Sequence, residues 1–194
     1  RRHAEVHARA RRQPPRQRIH ARRLDLHPLR GDPCVPVRLE PAVVKYLEFY
    51  RDDARGRAIA RVWAKKSGRF APALKAALVK AGLPADLVWL SLIESGHNPT
   101  IVSSAGAAGL WQFMPSTGAQ YMQINRAIDE RYDPWRSSEA AAALMRDNYR
   151  TTGSWPLAIT SYNHGAGGML RAVKQLGTRD ISVIIDRYES PSWG

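Results

Sequence analysis

From Pro41 to Leu176, apolar residues recur at the spacing of helices and not at the alternating spacing of strands. In PAVVKYLEFYRDD, for example, Val43, Tyr46, Leu47 and Tyr50 fall on one helical face. Alternating apolar segments joined by hairpin turns, which would indicate a sheet, are missing from this stretch. The pattern therefore predicts an all-α domain whose helices are joined by irregular, Gly-rich connections.

Local signals divide this region into individual helices. We predict one helix in GRAIARVWAKKSG that ends at Gly68, and another in FAPALKAALVKAG that Gly82 terminates. A further helix is predicted over residues 85–95, where Pro84 and Asp86 suit a helix start. Downstream, Ser137 or Ser138 is the expected N-cap of an alanine-rich helix. Two short helices follow, in WPLAITSYN and GGMLRAVKQLG.

Residues 1–40 differ from the rest in composition. They hold eleven Arg, no Lys and four acidic residues, so they carry +7 of the +13 formal net charge. Repeated prolines interrupt any helix there. We interpret residues 1–40 as a basic, Arg/Pro-rich tail or linker. Because no aromatic residues are interleaved for base stacking, we expect no nucleic-acid partner, although such a binder built on the tail remains an alternative.

The composition of the whole chain limits which partners and which kinds of site are possible. A sequence pI near 10.6 favours anionic partners such as nucleic acid, an anionic membrane surface or an acidic cell-wall glycan. The single cysteine, Cys34, excludes an internal disulfide and a Cys-rich metal site, and we expect no metal or cofactor. No apolar run reaches the roughly 18 residues of a membrane span. The chain begins with neither Met nor an apolar secretion segment, so we interpret it as a mature form or a fragment.

One carboxylate stands out in the segment LVWLSLIESGHNP. Glu94 lies near the end of the predicted helix, on or beside its apolar face. Apolar surroundings and the negative end of a helix both disfavour the ionised form, so both raise the pKa of Glu94. A carboxylic acid that stays protonated near neutral pH suits a general acid. A surface Glu paired with a basic side chain is the alternative.

Two Gly-rich segments, SGHNPTIVSSAGAAGLWQFMPSTG and SYNHGAGG, combine glycines with aromatic and amide side chains. Glycines permit tight backbone near a ligand, and aromatic residues in such loops serve as floors for sugar rings or as core residues. Phosphate-cradling glycine loops usually follow a strand, and no strand is predicted. We therefore exclude nucleotide binding.

The motif ES…NP…S..GA.GLWQFMP, followed by YN.G, resembles the lytic murein transglycosylases that have a lysozyme-like domain. The GLWQFMPSTG form and DERYDPWRSSEAAAALMRDNY are most similar to the membrane-bound D-type branch. The resemblance covers roughly residues 43–185 and leaves 1–40 unexplained. It implies an all-α, lysozyme-like (goose-type or soluble-lytic-transglycosylase-like) catalytic domain over residues 41–194 with a substrate groove. D-type relatives continue beyond the point matching DRYESPSWG, so we expect the domain to be truncated at its C-terminal end.

The resemblance also implies a reaction. Enzymes of this family cleave the β-1,4 bond between N-acetylmuramic acid and N-acetylglucosamine without water, because the muramic acid's C6 hydroxyl attacks C1 and leaves a 1,6-anhydro ring. By this resemblance Glu94 is the single acid/base. Asp86, eight residues earlier on the predicted helix and so about 12 Å away, is too far to be a partner carboxylate. Asp129, Glu130 and Asp133 remain open as partners that the fold brings close.

The same resemblance implies a set of substrate-binding residues. Tyr162 matches a tyrosine near the glutamate, whose hydroxyl is expected to hold the carboxyl or the glycosidic oxygen. The other implied substrate-binding residues are Ser103, Gln112, Trp111 (on the groove floor), Met114 and Asn163. Ser95 is expected to be structural, with its hydroxyl bonded to backbone at the helix end. We interpret His97 and His164 as loop residues.

The expected partner is therefore a peptidoglycan glycan strand, with the protein a monomer in the periplasm or cell envelope. Membrane or cell-wall association is expected through parts outside this chain. Two alternatives keep the same site. A water-using muramidase would need a second carboxylate facing Glu94. A non-catalytic glycan-binding module would have little use for an acid on an apolar helix face.

Overall fold

The computed structural model describes residues 35 and 37–189, and within them the chain is all-α, as predicted. Extended pairing there is limited to isolated bridges, such as Ala108 with Phe113. Short 3-10 turns lie at Ala85–Leu87 and Glu130–Tyr132. The helices are α1 Pro41–Asp52, α2 Ala54–Lys80, α3 Val88–Ser95, α4 Pro115–Gly118, α5 Pro134–Thr152, α6 Trp155–His164, α7 Ala166–Leu176 and α8 Ile181–Arg187.

The predicted break at Gly68 is wrong, because α2 is one helix of 27 residues. It continues through both Gly68 and Pro72, although a proline inside a helix removes a hydrogen bond and crowds the carbonyl four residues earlier. Ser67, Ala71 and Leu74 are buried on the same side of α2 around this point. Burial against the rest of the domain therefore outweighs the local signals for a helix end.

The C-terminus of α2 forms as predicted. Gly82 has a φ of 73°, its N–H donates to the Val79 carbonyl at 2.9 Å, and the Leu83 N–H donates to Leu78 at 3.0 Å. These two bonds are those of a Schellman motif, which needs the left-handed conformation that glycine adopts freely. The motif turns the chain back so that α3 packs on α2.

Helix α5 begins earlier than predicted. Its N-cap is Asp133, whose carboxylate accepts hydrogen bonds from the N–H groups of Trp135 and Arg136 at 2.8 and 3.0 Å. Ser137 and Ser138, the residues expected to cap the helix, lie inside it and donate to the carbonyls four residues earlier. Pro134 explains the difference, because proline fits the first helical position and moves the start upstream.

The main core lies between α2, α3 and α5. Leu74 and Leu78 from α2, Val88 from α3 and Met145 from α5 are buried in one cluster, together with Leu110, Trp111 and Phe113 from the Gly-rich loop. A second cluster joins α6, α7 and α8 through Leu157, Met169, Ala172 and Ile184. The loop that follows Glu94 is therefore part of the core, which fixes its path.

Two glycines on α2 allow a matched test of this packing. A Cβ at Gly56 would lie 2.0 Å from the Phe49 carbonyl oxygen of α1, whereas a Cβ at Gly68 would have no atom within 4 Å. We expect Gly56→Ala to lower the free energy of unfolding by about 1–3 kcal/mol, because α1 must move away. Gly68→Ala should raise it by up to about 1 kcal/mol through helix propensity. Urea unfolding followed by circular dichroism measures both, and equal effects would contradict this account.

Candidate active site

Glu94 lies in the last turn of α3, where the helix end is tightly fixed. Gly96 terminates the helix in the left-handed conformation, with φ 61°. The buried Ser95 hydroxyl is within donating distance of the Leu110 carbonyl at 2.8 Å and the Ser91 carbonyl at 3.0 Å, and it accepts from the Asn98 N–H at 3.1 Å. The expected structural role of Ser95 is confirmed, because it ties the end of α3 to the Gly-rich loop.

The carboxyl of Glu94 is half-buried and meets the second motif of the sequence. Asn163, near the end of α6, donates from Nδ2 to Oε1 of Glu94 at 3.4 Å. Burial raises the pKa of Glu94, and the hydrogen bond from Asn163 lowers it by a smaller amount. The net direction is upward, as the apolar sequence around Glu94 predicts.

Tyr162 lies beside this carboxyl but does not donate its proton to it. The hydroxyl donates to the Trp111 carbonyl at 2.6 Å, and the ring lies 6.1 Å from that of Phe113. Burial and, secondarily, the negative charge of Glu94 raise the pKa of Tyr162 well above its usual value. A phenol has one proton to donate, so the expectation that this hydroxyl holds the carboxyl is wrong: it fixes the loop backbone at Trp111. The other expectation, that the hydroxyl holds the glycosidic oxygen, stays a prediction.

The expectation for Trp111 is also wrong. Its side chain is fully buried, and its indole N–H donates to the Ser138 hydroxyl of α5 at 2.8 Å. A side chain in that position cannot contact a substrate in a groove. Buried tryptophan needs a partner for its N–H, and Ser138, inside α5 instead of at its start, supplies it. The Gly-rich setting of Trp111 suits a core residue as well as a sugar-binding floor, and the sequence did not separate the two.

The polar side chains of the loop are engaged with its own backbone. Ser103 Oγ accepts from the Ala107 N–H at 3.0 Å. Gln112 has a φ of 47°, and its Nε2 donates to the Gly109 carbonyl at 2.9 Å and to the Ile101 carbonyl at 3.3 Å. Both side chains therefore shape the loop that faces the end of α3. Met114, by contrast, is exposed at the end of this loop.

Arg131 holds the same loop and was missed by the sequence analysis. Its guanidinium donates to the carbonyls of Gly106 and Phe113 at 2.8 and 3.0 Å, and its Nη2 pairs with the Asp129 carboxylate at 2.7 Å. The side-chain hydrogen bond from Arg131 holds the pKa of Asp129 below its usual value. A Cβ at Gly109 would lie 1.8 Å from the Arg131 carbonyl oxygen, so the loop passes in direct contact with this residue. The sequence does show that Asp129 and Arg131 are two residues apart, which favours their ion pair. That spacing does not reveal the carbonyls of Gly106 and Phe113, which lie far from Arg131 in the sequence.

The acids considered as partners of Glu94 have contacts of their own. Asp129 pairs with Arg131, and Asp133 caps α5. Glu130 accepts from the Gln123 N–H at 2.7 Å and lies 3.7 Å from Arg136. Within residues 35 and 37–189, no group of three or more His, Cys, Asp or Glu side chains has the arrangement of a metal site. The groups recorded next to the Glu94 carboxyl are the Asn163 amide and the Tyr162 phenol.

The two histidines next to the motifs occupy different positions. His97 is a loop residue, with φ 55°, but it is buried, and its Nδ1 lies 2.8 Å from the Ser91 hydroxyl. Burial lowers the pKa of His97. His164 is the last residue of α6, so its assignment to a loop is corrected. Its ring meets the Tyr188 ring edge-on at a centroid distance of 5.7 Å.

The part of the chain that forms this site is similar in sequence to known proteins. Residues 72–185 match the family model described as "Transglycosylase SLT domain". The membrane-bound lytic murein transglycosylase D of Escherichia coli K12 is 40% identical over 97 residues, which are 49% of this chain and 22% of that protein. A putative tributyltin chloride resistance protein of Alteromonas sp. M-1 is 33% identical over 133 residues, 66% of this chain and 64% of the relative.

A phage protein is also similar. The transglycosylase of Enterobacteria phage PRD1 is 38% identical over 72 residues, which cover 37% of this chain and 25% of that protein. The chain thus spans about a fifth of the E. coli relative and about two thirds of the Alteromonas relative. The matched segment contains α3, the Gly-rich loop, Arg131 and Asn163, so it covers the whole site described above. With its all-α fold and this match over more than half its length, the chain belongs to the Transglycosylase SLT domain family of enzymes.

Proposed function

We propose that this domain is a peptidoglycan lytic transglycosylase in which Glu94 is the single general acid and base. The observation that carries the proposal is the setting of Glu94: a half-buried carboxyl at the end of an apolar helix, with a raised pKa and one hydrogen bond from Asn163. The E. coli relative, which is named as a lytic murein transglycosylase, supports the substrate.

The proposed reaction has two proton transfers through one group. Protonated Glu94 gives its proton to the glycosidic oxygen as the bond from C1 of N-acetylmuramic acid breaks. The resulting carboxylate then takes the proton of the C6 hydroxyl as that oxygen attacks C1. The products are a chain end with a free hydroxyl and a 1,6-anhydromuramic acid end, and no water is consumed. A raised pKa suits both steps, because the group must be protonated first and basic afterwards.

A single carboxyl is sufficient when the nucleophile belongs to the substrate. Hydrolytic glycosidases use two carboxyl groups, separated by about 5–5.5 Å in retaining enzymes and about 6.5–9.5 Å in inverting ones. The engagement of Asp129, Glu130 and Asp133 with other groups supports a reaction that needs no second carboxylate. A well-oriented internal hydroxyl replaces the missing nucleophile, with an effective molarity of about 10⁵ M or more.

We propose different roles for the surrounding residues. Asn163 orients the Glu94 carboxyl and contacts the substrate with the rest of its exposed amide. Met114 is exposed beside the loop and suits contact with a sugar face. Ser103 and Gln112 bind the N-acetyl and sugar groups through the oxygen atoms that their loop bonds leave available. Tyr162 acts through the Trp111 carbonyl, which it fixes in place.

The proposed location is the cell envelope, in the periplasm, where peptidoglycan is found, with the domain acting as a monomer. The E. coli relative carries "membrane-bound" and "murein" in its name, which supports this location. In the part of the chain that the structure describes, no helix is long and apolar enough to cross a bilayer. Residues 1–34, the greater part of the predicted tail, lie outside the described residues, so its role as a linker stays a prediction.

Digestion of purified peptidoglycan tests the proposal. We expect the chain to release muropeptides that are lighter by one water than muramidase products, because the C6 hydroxyl replaces water. Glu94→Gln should lower the rate by at least about 10³-fold, since it removes the only proton carrier. Mass spectrometry of the products and the time course of turbidity measure both effects.

A control variant and the product masses distinguish the proposed reaction from its two alternatives. Asp133→Asn removes a carboxylate that only caps α5, so it should leave the product masses unchanged. Products with water added would favour the muramidase on the same fold. Binding to peptidoglycan without any product, in the chain and in Glu94→Gln alike, would favour a glycan-binding module.

The pKa shift of Glu94 also predicts a stability effect. Folding raises the pKa of Glu94, so at pH values above its ordinary pKa the folded chain binds more protons at this group than the unfolded chain does. Ionisation of Glu94 therefore lowers the free energy of unfolding as pH rises through the folded pKa. We therefore expect Glu94→Gln to be more stable than the parent chain at pH 7. The difference should shrink below about pH 4, where both side chains are neutral. Thermal unfolding across this range measures it, and a variant less stable at pH 7 would contradict the burial of the charge.

A further inference from the structure

His97 is a buried histidine to which the proposed reaction gives no role. It lies just after the end of α3, it is 3% exposed, and its φ of 55° is in the left-handed region. Its backbone N–H donates to the Ser91 carbonyl at 3.4 Å, and its ring Nδ1 lies 2.8 Å from the Ser91 hydroxyl. The backbone and the side chain of His97 therefore both hold Ser91, and Glu94 lies in the turn between these two residues.

The hydrogen bonds of Ser91 indicate which nitrogen of the ring carries the proton. The Ser91 hydroxyl has one proton, and it lies 3.1 Å from the Val88 carbonyl, which can only accept. If the hydroxyl donates to that carbonyl, Nδ1 of His97 is the donor to Ser91, and the buried Nε2 keeps a lone pair. In the other tautomer Nε2 would carry an N–H, and Nε2 has no hydrogen-bond partner among the described residues. A buried N–H without an acceptor is the rarer and more costly arrangement, so the proton lies on Nδ1.

A second proton on this ring would have to bind at Nε2. It would be a buried donor without an acceptor, on a ring that has become positively charged, and both features are costly away from water. Burial accordingly lowers the pKa of His97. A charged ring would gain stability by moving out to water, which would break its hydrogen bond to Ser91. Only the neutral ring is therefore compatible with this end of α3.

The charged groups of the neighbouring elements do not compensate for a positive ring at His97. Helix α3 packs on α2 and on the short 3-10 turn before it. The charged side chains of α2 are all basic, and Lys66 places its Nζ 3.5 Å from the position of a Cβ at Gly96. Asp86 in the 3-10 turn and Glu94 on α3 are the acids of those two elements, and neither forms a bond with His97. The Gly-rich loop contains no other ionisable side chain.

We propose that His97 is a positioning residue for Glu94, whose neutral ring, with its proton on Nδ1, holds the last turn of α3 and sets the acid limit of activity. This inference rests on the proposed function of Glu94. The reaction starts from protonated Glu94, so ionisation of this group produces the alkaline limb of the kcat/KM profile and not the acid limb. Loss of activity in acid then requires another group, and His97 is the buried ionisable residue that holds the same turn.

Two substitutions in the full chain separate the hydrogen bond from the titration. His97→Asn keeps an N–H donor for Ser91 and a residue type that tolerates a positive φ, but it cannot take up a second proton. We expect its kcat at pH 7 to stay within about threefold of the parent value, and its acid limb to move to lower pH. His97→Ala should lower kcat at pH 7 by about 10- to 100-fold with little change in KM, because a small displacement of a catalytic group has a cost of that order. Product release from soluble, uncrosslinked glycan strands measures these rates.

Two further measurements do not depend on activity. Nitrogen-15 NMR of the imidazole rings, with His97→Asn to identify the signals, should show the His97 proton on Nδ1 and a ring that stays neutral below about pH 6.5, the ordinary pKa of histidine. Because folding lowers the pKa of His97, the unfolded chain binds more protons there below that pH. The parent chain should therefore lose free energy of unfolding relative to His97→Asn as pH falls. His27→Asn, in the basic tail, is the control and should change neither the acid limb nor this difference.

Three results would overturn the proposal. An acid limb that His97→Asn leaves in place would assign the limit to another group, such as the Asp129 carboxylate that pairs with Arg131. A ring with its proton on Nε2, or one that is charged at neutral pH, would contradict the bond to Ser91. Equal kcat in the parent and in folded His97→Ala would show that the turn is held without the ring. A parent chain that releases no product at any pH would instead overturn the proposed function, while NMR and unfolding would still decide whether neutral His97 holds α3.

Discussion

The site depends on the interactions that the side chain of Arg131 makes. It is buried, it pairs with Asp129, and it donates to two carbonyls of the Gly-rich loop that are seven residues apart, Gly106 and Phe113. A buried guanidinium is costly unless its charge is paired and its donors are used, and here the Asp129 carboxylate and the loop backbone meet both needs. The loop in turn offers the Leu110 and Trp111 carbonyls that receive Ser95 and Tyr162. The positions of α3 and α6 relative to each other follow from these bonds.

The acid in this framework owes its character to its neighbours. Glu94 comes from the first motif and Asn163 from the second, and the fold joins them across 69 residues of sequence. The hydroxyl of Tyr162 donates its proton to the Trp111 carbonyl of the loop. A neutral amide and a neutral phenol near the carboxyl give little compensation for burial of a negative charge. Among the residues that the structure describes, no salt bridge to Glu94 is formed, and burial leaves its pKa raised.

Local patterns predicted the helices and the place of Glu94, but not the contacts that cross the chain. Gly82 ends α2 as expected, since a Schellman motif is decided by a few adjacent residues. Gly68 does not end a helix, because burial on both sides of it prevails over its low helix propensity. Trp111 was assigned to the groove because a sequence does not show on which side of a loop an indole lies. Arg131 was missed because its partners lie up to 25 residues away.

The close passage of Gly109 beside Arg131 limits which sequences are compatible with this loop. With the position of a Cβ 1.8 Å from the Arg131 carbonyl oxygen and a φ of 79°, any side chain at residue 109 forces the loop onto another path. Replacement of Glu94, the proposed acid, in contrast leaves the path of the backbone free of steric conflict. We therefore expect a related chain that keeps this glycine to keep the same loop path, whether or not it keeps the proposed acid.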